Sequence, residues 1–212
     1  MKKILFTALI FIYSNHLAIA QNDSRDEMVK KFVQIIGDQI IETAKDKKLN
    51  EVQKKQKIID ITDKSSDTKW IGRFVLGKHY KTASEEQRKN FMELYREFMI
   101  NTYGPKFSDY DGKKFSVNSV EKQSGFYLVK SEFIPKNSNS VIFIDFRVRE
   151  SDGVFSIVDY IAEGVSLIET QRSEFNSSIN EKGLDNFLSN LKQKIDNLKI
   201  ENNNPKKKVT KK

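Results

Sequence analysis

The sequence contains no cysteine, and that absence removes several classes at once. No disulfide can hold the fold, so stability must rest on an apolar core. No thiolate is available to ligate zinc. Histidine is nearly missing too: only His16 and His79 occur. A zinc site would have to combine His79 with carboxylates alone, a poor donor set. No P-loop and no G-x-G-x-x-G segment occurs, so the glycine loops that cradle phosphates are lacking. No internal repeat is present.

What the N-terminus does contain is a short export pattern. Met1-Lys2-Lys3 is followed by an apolar run from Ile4 to about Tyr13, then Ala18-Ile19-Ala20. Basic start, short apolar centre and A-x-A ending are the three parts of a secretory signal peptide. The run is shorter than the roughly 20 residues a spanning helix needs. Residues 1–20 are therefore expected to be a cleaved signal, with His16 lost alongside it. With no cysteine after the cut, a lipid-anchored lipoprotein is excluded. Residues 21–200 are expected to form a single domain, long enough to bury one core. Residues 201–212 are expected to be a disordered basic tail.

The charge excess is concentrated outside that domain. Of the formal +8, Lys2 and Lys3 supply two, and five lysines against one glutamate in Glu201–Lys212 supply four. The domain keeps only the remaining +2. A nucleic-acid binder would carry its charge as a patch on the folded part, so this class is set aside. The tail lysines suit transient contact with an anionic membrane surface or an acidic docking surface.

Hydrophobic periodicity divides the domain into helices, strands and helices. Met28, Val29, Phe32, Val33, Ile36, Ile40 and Ile41 predict a helix from Arg25 to about Lys45. Asn50 and Gln53 form a capping box before a second helix bearing Ile58, Ile59 and Ile61. Ser66 or Asp67 caps a third, which carries Trp70, Ile71, Phe74 and Val75 and ends near Gly77. Ser84 and Gln87 make another capping box, ahead of Phe91, Leu94, Tyr95, Phe98, Met99 and Tyr103. Gly104-Pro105 is expected to stop that helix. Lys114–Glu121, Phe126–Ile134, Val141–Glu150 and Val154–Ala162 read as strands. In the third, Ile142, Ile144, Phe146 and Val148 point one way and Phe143, Asp145, Arg147 and Arg149 the other. Two helices follow, the last with a stripe of Leu184, Phe187, Leu188, Leu191, Ile195 and Leu198. This order gives an α+β fold: N-terminal helices, an antiparallel sheet of four or more strands and C-terminal helices.

Val154–Phe175 ties these parts together. It begins as a strand, turns at Glu163-Gly164 and is expected to continue as a helix, with Gly164 supplying the backbone freedom of the pivot. Apolar residues on both sides (Val158, Ile161, Val165, Leu167, Ile168) predict burial throughout.

Catalytic candidates are few. Gly164-Val165-Ser166 begins like a nucleophile elbow, but Ile168 stands where the second glycine belongs. A lipid hydrolase would have to use Ser166 with His79. The simpler reading of Ser166 is a hydroxyl bonded to backbone at a helix start. Trp70, Phe74, Tyr95, Phe98 and Tyr103 are bulky rings that suit either a core or the mouth of a ligand cavity.

Two blocks carry a family resemblance. WIGRFVLGKHYKTASEEQRKNFMELYREFMINTYG, Trp70–Gly104, contains Phe74-Val75-Leu76-Gly77, Tyr80, Thr82–Arg88, Phe91 and Tyr103-Gly104. The second, Val158–Leu167, contains a D-x-x-x-E-G-V-S pattern from Asp159 to Ser166, continued by Arg172, Phe175 and Gly183-Leu184. Together they resemble the MlaC family, the toluene-tolerance auxiliary proteins, over roughly Phe32 to Lys199. The N-terminal helices and the basic tail depart from it.

The resemblance implies a periplasmic phospholipid carrier rather than an enzyme. Acyl chains would lie in a deep apolar pocket between sheet and helices, with headgroups near water and no cofactor beyond the lipid cargo. Its partners would be an outer-membrane lipoprotein–porin complex and an inner-membrane MCE-protein/ABC transporter complex. It places Tyr103, Ile142 and Val165 against lipid. The full expected lining adds Trp70, Phe74 and Leu76 on the third helix, Phe98 beside Tyr103, Ile144 and Phe146 beside Ile142, and Val158 and Ile168 around the pivot. Arg172 is expected either to meet lipid phosphate or to pair with Glu169 or Glu174. A structural adaptor with a solid core is the alternative outside both classes.

Overall fold

The computed structural model describes residues 10–108, 112–136 and 140–203. The first nine residues and everything after Asn203 lie outside these, so the start of the expected signal and most of the expected tail are not among them; the first three residues of that tail, 201–203, are instead helical and complete α7. The described residues contain helices α1 (Ile10–Lys45), α2 (Glu51–Ser65), α3 (Thr68–Leu76), α4 (His79–Thr82) and α5 (Glu85–Ser108). Strands β1 (Gly112–Gln123), β2 (Phe126–Pro135), β3 (Ile142–Ser151), β4 (Val154–Ala162) and β5 (Val165–Ser166) follow, then α6 (Leu167–Lys182) and α7 (Leu184–Asn203). No helix among the described residues is long and apolar enough to cross a membrane. α1 runs through the Ala20–Gln21 bond at which the sequence places cleavage.

The five strands form one antiparallel meander in chain order. The alternation read in β3 holds. Phe146 and Val148 are buried on one face beside Val129 and Tyr127 of β2. α1 covers that face, packing Val29, Val33, Ile36 and Ile41 on Phe115, Val117, Phe133 and Phe146. On the opposite face Arg147 pairs with Glu169 of α6, so helices flank the sheet on both sides. A second cluster is helical. Ile71, Val75 and Leu76 of α3 meet Phe91, Tyr95 and Phe98 of α5, with Phe175 of α6 and Phe187 of α7 closing it. A bulge between Arg147 and Val148 pairings leaves Val158 out of register and delivers its side chain to this helical cluster.

Three local expectations fail, each for a visible reason. Gly104-Pro105 does not stop α5, which continues to Ser108. Proline removes the N–H that would satisfy the Asn101 carbonyl; Asn202 Nδ2 of α7 donates to that carbonyl instead, at 3.0 Å. Nor does the chain pass straight from pivot to helix. Glu163 and Gly164 both have positive φ, 49° and 80°, as a tight two-residue hairpin turn requires. Val165 and Ser166 then pair back onto Ala162 and Ile161 as β5 before α6 begins at Leu167. The expected burial throughout is wrong as well: Val165 is 62% exposed.

Candidate functional site

α1 and α2 are joined across residues 46–50, and their facing stripes leave a gap. On α1, Phe32, Ile36, Gln39 and Thr43 recur every three or four residues, with Asp46 just past its end; on α2, Lys57, Asp60, Ile61 and Lys64 do the same. These faces line a cleft of about 890 Å³, within the size range of small-molecule sites. Phe32, Ile36 and Ile61 are its apolar part, and Glu42, Lys45, Asp46, Lys57, Asp60 and Lys64 its charged part. Phe32 and Ile61 also pack on the sheet-facing cluster with Ile144 and Tyr160. The apolar part of the cleft is therefore continuous with the face of the sheet that α1 covers.

That face is left open at one end. Ile144 of β3 stands opposite Ala162 of β4, and Ala162 opposite Val165 of β5. Directly opposed residues share a face, so Ile144, Ala162 and Val165 form a row beside Ile142 and Phe146. Phe146 is buried, Ile142 and Ile144 are half-buried, and Ala162 and Val165 are exposed. Tyr160 closes the inner side: its hydroxyl meets Ser66 at 2.9 Å, and burial pushes its pKa up to about 12. It stays a neutral hydroxyl at physiological pH.

The expected lining thus falls into two groups. Ile142, Ile144, Phe146 and Val165 lie on the sheet face next to the cleft. Leu76, Phe98, Val158 and Ile168 are buried in the helical cluster, with Trp70 and Phe74 packed against it. Trp70 stacks on Phe74 at 5.1 Å and takes the edge of Phe126 at 5.6 Å. Tyr95 and Phe98 do not stand at a cavity mouth. Tyr95 is fully buried and donates its hydroxyl to Gln171 Oε1 at 2.5 Å, and burial holds its phenol well above its ordinary pKa. Gln171 in turn donates to the half-buried Tyr103 hydroxyl at 3.1 Å. The charged residues of the cleft were not anticipated. Phe32, Ile36 and Ile61 were legible only as apolar helix positions.

The D-x-x-x-E-G-V-S block is an anchor for α6. Asp159, 0% exposed, accepts from the Ser166 hydroxyl at 2.6 Å, the Ile168 amide at 3.3 Å and Arg147 Nη1 at 3.1 Å. Burial raises its carboxyl pKa, and the Ser166 and Ile168 hydrogen bonds partly offset this. Ser166 Oγ accepts the Glu169 amide at 3.1 Å, capping the helix. Glu163 receives the Phe143 amide at 3.0 Å, fixing the turn to β3. His79 Nε2 lies 3.0 Å from Asn176 Oδ1, so Ser166 and His79 each have other partners. Arg172 is not paired with Glu169, which is engaged by Arg147 at 2.6 Å; its guanidinium lies over the Phe74 ring at 4.5 Å. Among the described residues no three His, Asp or Glu side chains converge as a metal site requires.

Comparison with known proteins agrees with this architecture. The intermembrane phospholipid transport system binding protein MlaC of Haemophilus influenzae is 27% identical over 129 residues, covering 58% of this chain and 60% of that protein. The chain thus matches about 60% of the length of that curated relative. The phospholipid-binding protein of Ralstonia solanacearum, solved in complex with a phospholipid, superposes with a TM-score of 0.71 at 20% identity, over 80% of this chain and 97% of that one. The two therefore share a fold. A family model described as MlaC protein matches residues 18–193, and the chain belongs to the MlaC family.

Proposed function

We propose that this protein is a periplasmic phospholipid carrier whose acyl chains lie between α1, α2 and the open end of the sheet. The observation that carries this reading is the row Ile144, Ala162, Val165, the uncovered end of the apolar sheet face that α1 covers elsewhere. Each methylene taken from water contributes about 0.8 kcal/mol, so an exposed apolar row costs the empty protein what an acyl chain would recover. The protein need not exceed the bilayer's own affinity. Near parity lets lipid load at one membrane and unload at another. Family membership supports transfer between an outer-membrane lipoprotein–porin complex and an inner-membrane MCE-protein/ABC transporter, and the basic, apolar and Ala-x-Ala start supports export.

A hydrolase built on Ser166 and His79 is disfavoured by geometry. The Ser166 proton is given to a buried carboxylate and its lone pair caps α6. His79 faces Asn176. Mass spectrometry of lipid extracted from the purified protein tests the reading. Intact phospholipid supports a carrier, lysophospholipid and free fatty acid support a hydrolase, and no lipid supports an adaptor with a solid core.

A further inference from the structure

The chain has seven arginines, and they divide by what their guanidiniums meet. Arg25, Arg96, Arg147 and Arg149 each pair with a carboxylate, at 2.6 to 3.2 Å. Arg73, Arg88 and Arg172 have no carboxylate partner among the described residues. All three lie instead over aromatic rings of one surface. Arg73 and Arg88 stand 5.0 and 4.9 Å from the centre of the same Tyr80 ring, and Arg172 stands 4.5 Å from that of Phe74. The junction of α3 and α4 brings them together. Arg88 donates to the Tyr80 and Lys81 carbonyls at 2.8 and 3.2 Å, which fixes α4 on α5. A Cβ on Gly77 would stand 3.3 Å from Arg172 Nε, so a glycine between α3 and α4 gives Arg172 its place across the junction. Lys69, Lys78 and Lys81 are exposed on the same segment. The nearby acids are committed elsewhere. Asp67 accepts from Arg149 and the Trp70 amide, Glu169 pairs with Arg147, and Glu85 and Glu86 occupy the first turn of α5, where the helix dipole favours them.

We propose that this α3–α4 surface, with Arg172 of α6, docks an acidic segment of a partner protein, whose carboxylates meet Arg73 and Arg172. Cations gathered without a counter-charge repel one another, and an anionic partner relieves that repulsion. Guanidiniums already laid flat on rings lose little freedom when a carboxylate arrives, and their planar forks suit it. Arginine beside tyrosine and tryptophan is also the composition that dominates binding at protein interfaces. A bilayer fits less well. Insertion needs exposed apolar side chains, and none of the exposed large hydrophobic residues lies in α3, α4 or α6. The surface is also remote from the row Ile144, Ala162, Val165. Trp70 of α3 meets Phe126 of β2, whose neighbour Tyr127 packs in the cluster under α1. Successive strand residues point to opposite faces, so α3 lies on the far side of the sheet and docking leaves the row free. The proposal does not depend on the acyl-chain site.

Fluorescence anisotropy of a labelled octaglutamate peptide, titrated with the full chain at low salt, tests it. An Arg73→Gln, Arg172→Gln variant should bind the peptide about five- to tenfold more weakly. Both residues are exposed, so its melting temperature should match the wild type. Arg73→Lys, Arg172→Lys protein keeps the charge but loses the planar fork, and should recover only part of the affinity. Gln at Lys206, Lys207 and Lys208, which removes charge from the C-terminal run instead, should weaken peptide binding less than the double arginine variant does. Vesicles of phosphatidylglycerol in the same titration should lose less affinity for the Arg73→Gln, Arg172→Gln protein than the peptide does. Failure of the wild type to bind the peptide, or equal binding by the wild type and the folded Gln variant, would overturn the proposal. So would full rescue by lysine, a larger loss from the Lys206–Lys208 variant, or a greater loss for vesicles than for peptide, which would make the surface a membrane contact.

Discussion

The Ser166 hydroxyl donates to Asp159 Oδ2 at 2.6 Å while its oxygen accepts the Glu169 amide at 3.1 Å, so one side chain joins a buried strand residue to the first turn of α6. Asp159 is enclosed completely, and burial outweighs its hydrogen bonds in setting its pKa above the ordinary aspartate value. Folded protein therefore holds the Asp159 proton to higher pH than unfolded protein does. Stability from this group is full below the unfolded pKa and falls as pH rises through the folded one. Urea midpoints measured across the acidic range should show the wild type losing ground to Asp159→Asn as pH rises, then running parallel above. A wild type that gains on Asp159→Asn over that window contradicts the assignment. Asp159→Ala, which strands the Ser166 hydroxyl and the Ile168 amide, should cost about 3 kcal/mol at neutral pH.

Gly37 lies under the Phe115 ring, at the crossing of α1 and β1. A Cβ there would overlap ring atoms Cδ1, Cε1 and Cγ. Replacing a helical glycine by alanine ordinarily stabilises by about 1 kcal/mol. Overpacking a rigid aromatic contact costs about 1–3 kcal/mol, so Gly37→Ala should be destabilising in sum. A melting temperature at or above wild type would mean that α1 can lift from the sheet without penalty.

Asn202 should matter only because of Pro105. In the wild type, Asn202→Ala removes the donor to the Asn101 carbonyl and should cost about 1 kcal/mol. In a Pro105→Ala background the helix supplies its own amide, and Asn202→Ala should cost little. A double-mutant cycle by urea unfolding measures this coupling. Equal effects in the two backgrounds would remove the compensation.

Much of this fold was legible because local signals and packing agree. The capping boxes at Asn50–Gln53 and Ser84–Gln87 are both formed, each with reciprocal bonds of 2.9 to 3.1 Å. The alternation of β3 and the stripe of α7 each report a single buried face, which hydrophobicity can encode. The lining was not separable in the same way. Phe98 and Ile144 are both apolar and periodic, and nothing local distinguishes a residue facing another helix from one facing an uncovered sheet end. Val165 is read as buried from its composition but is exposed, because the Glu163–Gly164 turn folds it back along β4 to the sheet edge. Pro105 misled for a related reason: its compensating donor lies 97 residues later in the sequence, on α7.

The central claim is that phospholipid lies on the row formed by Ile144, Ala162 and Val165. Val165 is the member to change, since it is 62% exposed and a polar side chain there should leave the fold intact. Native mass spectrometry of Val165→Glu beside the wild type measures lipid occupancy directly. The account predicts a folded variant, with an unchanged circular dichroism spectrum, that carries no phospholipid because a carboxylate cannot be desolvated against an acyl chain. A folded Val165→Glu protein with wild-type lipid occupancy would contradict it.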